Sequence, residues 1–87
     1  MEVKNVQMFV LGRNLVTTFT VHHDQSPASV DVECMFSSTK IEDLKISIRN
    51  HHKIDTKMKS YLYQQAEQEA EKIFKQNSIQ ISEQLNI

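Results

Sequence analysis

The chain has 87 residues, of which 39% are hydrophobic and 24% charged, and its formal net charge at pH 7 is -1. This length predicts a single domain, residues 1–87, with a small core that self-association would supplement. The composition excludes a disordered or fibrous chain. The near-neutral charge excludes a general attraction to nucleic acid or to an anionic membrane, so such a partner would need a local patch.

Cysteine content and hydropathy bear on the compartment. The chain has one cysteine, Cys34, so no disulfide can form within it, and no charged start followed by an apolar run marks a secretion signal. The longest apolar run, residues 8–11, is far shorter than the roughly 20 residues of a membrane span. We therefore predict a soluble, cytoplasmic protein without membrane contact.

The first half of the chain has the period of β-strands. Apolar residues occur at every second position on both sides of a polar break at residues 12–14, which predicts a β-hairpin. With Arg13 and Asn14 as its two-residue turn, Val10 would lie opposite Thr17.

Two further strands follow a polar loop. Residues 30–37 alternate between an apolar and a more polar face, and residues 43–49 do so again after a turn of short polar side chains. The simplest arrangement of four such strands is an antiparallel meander.

The hydrophobic period changes to that of a helix after the fourth strand. Either Asp55 or Thr56 is a suitable N-cap, and neither glycine nor proline interrupts the chain up to about Asn77. A helix of this length should extend past strands of seven or eight residues, leaving one end free for a partner. The predicted apolar stripe consists of Met58, Leu62, Ala66, Ala70 and Ile73.

The predicted fold is therefore α+β. It is a four-stranded antiparallel meander sheet followed by one long amphipathic helix packed on one face, in the order β-β-β-β-α. Residues 78–87 alternate like a strand but also contain a helical start signal, so they are expected to form a short extra strand or a docked tail.

Four histidines occur as two adjacent pairs, His22 with His23 and His51 with His52, and each pair follows a predicted strand. In a meander the second and fourth strands run the same way, so both pairs should lie at one end of the sheet. Imidazole is a good zinc ligand, but adjacent strand residues point to opposite faces, and the spacing matches no metal motif. A metal-binding or enzymatic protein is our third hypothesis; we expect solvated histidines, no bound metal and no other cofactor.

Positive charge is concentrated in residues 40–59, which carry six basic and three acidic side chains. Two of the lysines, Lys57 and Lys59, fall in the first turn of the predicted helix, where the helix dipole disfavours cations. A helix N-terminus surrounded by basic groups suits phosphate, so a nucleic-acid-binding domain is the second hypothesis. Its candidate contacts are Arg49, His51, His52, Lys53, Lys57 and Lys59.

The back of the sheet is a candidate contact surface, because one helix covers one face. The opposite face mixes apolar residues with threonines, and large apolar patches on small proteins often mark interfaces. The candidate residues for contact with a protein partner, or for a homodimer, are Phe9, Leu11, Val16 and Met35.

No catalytic residue is predicted. Cys34 falls on the apolar face of the third strand, where a small buried hydrophobe is expected rather than a reactive thiolate. A single glycine rules out a Gly-rich phosphate loop. The first hypothesis is therefore a small non-enzymatic protein-interaction module, of accessory, regulatory or inhibitor type, that also self-associates. It would bind through the back of the sheet, through the sheet edge or through the free helix end.

Overall fold

The computed structural model describes residues 2–24 and 27–77, so the predicted strand or tail at residues 78–87 lies outside the described residues. Within the described residues, four strands form one antiparallel sheet in chain order, and one long helix follows and packs on it. The predicted α+β fold is confirmed. The strands are β1 (Glu2–Leu11), β2 (Asn14–His22), β3 (Ser29–Phe36) and β4 (Ile41–Arg49); a 3₁₀ turn spans His51–Lys53, and the helix, α1, is Thr56–Gln76.

The hydrophobic core lies between α1 and one face of the sheet. Alternate residues of β2 and β3 point towards the helix, and the antiparallel register places apolar residues of the two strands opposite each other, for example Phe19 opposite Val32. At the end of β3 the Phe36 ring packs against Phe74 of α1, with ring centroids 5.2 Å apart. The buried helix residues are Leu62, Ala66, Ala70 and Ile73, all on the predicted stripe.

The helix and the sheet match in length. The 21 residues of α1 span about 32 Å, while strands of 8 to 10 residues span about 26 to 33 Å. Helix side chains from Met58 to Phe74 pack against the core. The predicted free helix end is therefore not observed, because the strands are longer than their alternation indicates.

The helix and the sheet do not match in width. A helix is about 10 Å across and neighbouring strands are about 4.8 Å apart, so one helix spans roughly two strands. The main contacts of α1 are with β3 and β4. β1 lies at the far edge, where Val3 is half-buried and residues 4–11 are all exposed.

The hairpin between β1 and β2 turns at Gly12 and Arg13. Gly12 has φ 63° at the first central position, where a type II′ turn takes glycine. Val10 consequently lies opposite Leu15 instead of Thr17. The predicted register was wrong by two positions, a shift that leaves every side chain on its predicted face because the side-chain period of a strand is two.

One bulge interrupts the pairing of β1 with β2. The register shifts between Lys4 and Gln7, because β1 has one residue more than β2 over this interval. Within it Asn5 has φ 58°, a left-handed conformation that asparagine tolerates better than most residues. The bulge separates the start of β1 from its exposed residues 6–11.

The hydroxyl of Thr17 gives a test of the core. Thr17 is fully buried on the helix side of β2, and its Oγ1 has no hydrogen-bond partner among the described residues. An unpaired buried hydroxyl is unfavourable, and valine has nearly the same shape without it. We expect Thr17→Val to raise the free energy of unfolding by about 1 kcal/mol in urea denaturation. Thr18→Val, on the opposite face, is the control and should change it by less than about 0.5 kcal/mol; a less stable Thr17→Val protein would contradict the assignment.

Candidate functional site

Exposed large hydrophobic side chains in the described part of the chain fall mainly on β1. Val6, Met8, Phe9, Val10 and Leu11 are between 39% and 55% exposed. The strand alternation places three of them on the helix side, beyond the reach of α1, and the other two on the back. We call residues 6–11 the edge segment; it is apolar on both faces.

The edge segment lies at an open edge of the sheet. β1 is first in the strand order, so its outer side has no neighbouring strand among the residues that the structure describes. Proteins usually protect such edges with charged residues, proline or bulges. The opposite edge strand, β4, follows this rule, whereas the edge segment has no charge and no proline. The charged residues of β4 are Glu42, Asp43, Lys45 and Arg49.

The four predicted interface residues lie together on the back of the sheet. Phe9 pairs with Val16 and Val16 with Met35, which forms a row across three strands, and Leu11 lies beside this row at the end of β1. Phe9 and Leu11 are more than half exposed, Met35 is half-buried, and Val16 is only 2% exposed. The accessible part of this set is therefore on β1.

The rest of the back face is polar, and Arg49 is paired there with Asp31. The Thr20 hydroxyl donates to Asp31 Oδ1 at 3.1 Å, and Arg49 Nη2 donates to the same oxygen at 2.9 Å. The hydrogen bond to Asp31, and then the charge of Asp31, raise the pKa of Arg49. Glu33 and Lys45 lie directly opposite each other on β3 and β4, a favourable placement for opposite charges. An open hollow of about 660 Å³ lies over this polar region.

The six predicted anion contacts are distributed over three places. Arg49 lies on the back face beside Asp31. His51, His52 and Lys53 form the exposed 3₁₀ turn. Lys57 and Lys59 are on α1, where Lys57 lines a groove of about 410 Å³ together with His23, Asp55, Met58 and Tyr61.

A carboxylate of the chain itself occupies the N-terminus of α1. Asp55 Oδ1 accepts a hydrogen bond from the Met58 backbone N–H at 2.8 Å, so Asp55 is the N-cap rather than Thr56. Its negative charge lies where a bound phosphate would meet the free N–H groups. The Met58 N–H is therefore satisfied within the chain, and Lys57 lines the same groove as the acidic Asp55.

Replacement of the N-cap tests this account of the helix start. We expect Asp55→Ala to lower the free energy of unfolding by about 1 kcal/mol, because the Met58 N–H loses its acceptor. Asp55→Asn keeps a cap of similar strength and should stay within about 0.5 kcal/mol of the original protein. Urea denaturation of both variants measures the difference; equal stability of the alanine and asparagine variants would show that the cap contributes little.

The histidine pairs lie at the end of the sheet where β2 and β4 finish, as the meander predicts. The His23 ring meets Tyr61 edge-on at 5.5 Å between centroids, and the rings of His51 and His52 meet each other at 6.0 Å. Across the described residues, no three His, Cys, Asp or Glu side chains come together in a way that could hold a metal ion. The pairs thus make ring contacts in the described structure.

Cys34 is buried on the helix side of β3 and its thiol donates to the Thr17 carbonyl at 3.5 Å. Burial, and to a smaller degree the charge of Glu33, raises the pKa of Cys34 to about 12. A raised pKa lowers the fraction of nucleophilic thiolate at neutral pH. This environment agrees with the predicted structural role of the side chain.

Thiol labelling tests the burial of Cys34. At pH 8 we expect the folded protein to react with an aromatic disulfide reagent at least about 100-fold more slowly than the same protein in urea, because both access and thiolate fraction are reduced. The absorbance of the released thiolate follows the reaction. Equal rates in the folded and unfolded protein would refute a buried thiol.

Three residues of the edge segment were not predicted as contact residues. Val6, Met8 and Val10 share the alternation of the buried strands, so the pattern assigns them to the core side of the sheet. Their exposure could have been predicted from dimensions alone, because a sheet of four strands is wider than the area that one helix covers.

The chain matches no protein-family model, no curated protein and no solved structure. Within residues 2–24 and 27–77, no helix combines the length and the apolar content needed to cross a membrane.

Proposed function

We propose that this protein is a non-enzymatic interaction module that binds a protein partner through the edge segment by β-strand addition. The observation that supports this function is an uncharged run of six residues, exposed and apolar on both faces, at an open sheet edge. In strand addition the backbone of the edge supplies hydrogen bonds, and side chains on the two faces supply specificity. Exposed apolar patches on small proteins commonly serve as such contacts.

Three of the reactive groups described above are engaged within the chain, which supports a binding role over a catalytic one. The Cys34 thiol is buried, the N-terminus of α1 is capped by Asp55, and the Arg49 guanidinium is paired with Asp31. None of these groups offers a free nucleophile or an open anion site. The apolar side chains of residues 6–11 on β1, by contrast, remain exposed, and the main contacts of α1 are with β3 and β4.

Affinity capture with matched variants tests the proposed function. A tagged chain should retain a protein partner that Phe9→Lys loses by at least about tenfold, because a charge in the edge segment would be desolvated on pairing. Gln68→Lys, which adds the same charge to the exposed side of α1, is the control and should retain the partner.

The capture is repeated after nuclease treatment, and the retained protein is then purified and mixed directly with the chain. A partner retained equally by Phe9→Lys would show that the edge segment is not the binding surface. Loss of all partners after nuclease treatment would favour the nucleic-acid hypothesis instead.

A further inference from the structure

We propose that the partner of the edge segment is a second copy of this chain. The two β1 strands would pair antiparallel around a two-fold axis at Met8 and join the two four-stranded sheets into one sheet of eight strands. This inference rests on the proposed function, because it names the occupant of the same surface.

Structural features delimit the segment that can pair. On one side lie the bulge at Asn5 and the Lys4 side chain, whose Nζ is 3.7 Å from Glu2 Oε1. On the other side the strand ends at Leu11 before the turn at Gly12. The core-side residues of the edge segment, Val6, Met8 and Val10, have Met8 at their midpoint, so full overlap of these residues in two copies centres the pairing on Met8.

The strand alternation makes this pairing self-complementary. Residues directly opposite each other in a sheet point to the same face, so a two-fold pairing joins positions of equal parity. Val6 then lies opposite Val10 of the second copy, Met8 opposite its own equivalent, and Phe9 opposite Gln7. On the helix side this register forms three consecutive rows of paired apolar side chains. A register centred on Phe9 would place Val6 opposite Gly12 and would form only two such rows.

The charges at the ends of the segment are compatible with this register. The edge segment itself carries no charged side chain, and the nearest cations, Lys4 and Arg13, lie beyond the bulge and within the turn, so no two like charges face each other across the paired residues. The net charge of -1 per chain adds little repulsion between copies. β4 is a poorer pairing edge, because it carries four charged side chains.

The position of α1 leaves the β1 edge accessible. The helix contacts β3 and β4, so on each copy β2 and β1 separate it from the shared edge. A two-fold axis perpendicular to the sheet puts both helices on the same side, with four strands between them. The two helices therefore do not obstruct the approach of the two edges.

The exposed area indicates a weak, concentration-dependent dimer. About half of each of five large apolar side chains is exposed, on the order of 400 Å² per copy when a fully exposed side chain is taken as roughly 150 to 200 Å². Two copies together approach the lower limit of stable interfaces, near 1,000 Å². We therefore expect a dissociation constant on the order of 10 to 100 μM.

Sedimentation equilibrium of the full chain tests the dimer. Between about 1 μM and 1 mM the mass should rise from one copy towards two, and Met8→Lys should weaken association by at least about tenfold. Ser47→Lys, which adds a lysine to the other edge strand, is the control and should dimerise normally. Circular dichroism verifies that each variant is folded. A single-copy mass at every concentration would overturn the proposal.

Disulfide trapping tests the register. Directly opposite residues have Cα atoms about 4.5 to 5.5 Å apart, within the range of a disulfide, so Met8→Cys should form a covalent dimer under mild oxidation. In the same register the Cα atoms of the two Gln7 residues are roughly 8 Å apart, which is too far for a disulfide, so Gln7→Cys should not form a covalent dimer. Cys34 is buried and does not interfere. Absence of the Met8→Cys product, or faster trapping with Gln7→Cys, would contradict a two-fold axis at Met8.

Hydrogen exchange separates the second copy from other occupants. Protection of amides in residues 6–11 should increase with protein concentration. Protection that is strong and independent of concentration in a monomer would show that the chain covers its own edge, which overturns the dimer. A monomer that still captures another protein through the edge segment would overturn the dimer and leave the proposed function supported.

Discussion

A four-stranded sheet packs here against a single helix, and the difference in their widths controls how the rest of the molecule is arranged. β3, which lies under α1, buries its helix-side residues almost completely, whereas the edge strand β4 buries only Ile48 to this extent. β2 is buried as well, because it lies between β1 and β3 and its helix-side residues pack into the core. β1 contributes hydrogen bonds to the sheet through its pairing with β2, yet it adds little to the core. A sheet of three strands would have left far less apolar surface exposed.

Local periodicity was sufficient to predict the elements, because it depends on neighbouring residues in the chain. The alternation around Val32 and the stripe from Leu62 to Ala70 indicated the strands and the helix that the structure contains. The same signal cannot distinguish Val10 from Val30. Both occupy the core-side positions of their strands, but Val30 lies under the helix and Val10 lies at the edge. Lateral position in a sheet is set by the packing of the helix, which periodicity does not encode.

The candidate charged surface illustrates a second limit. The sequence shows how many charges a segment carries, but the partner of each charge depends on the register between strands. Arg49 and Asp31 are 18 positions apart and meet because β3 pairs with β4 in one particular register. Local rules offer both Asp55 and Thr56 as the cap, and only the observed hydrogen bond shows that the Asp55 carboxylate lies at the helix terminus.

The contrast between the two edge strands would also set the number of copies in an assembly formed through β1. Interfaces between identical surfaces close on themselves, whereas pairing between different edges would propagate into fibres. β1 is apolar along residues 6–11, and β4 carries acidic and basic side chains along its length. Joining two copies through β1 leaves two outer strands that are both β4. In such a dimer, sheet extension would stop at a finite, even number of strands, and the charges on β4 would act as terminators of growth.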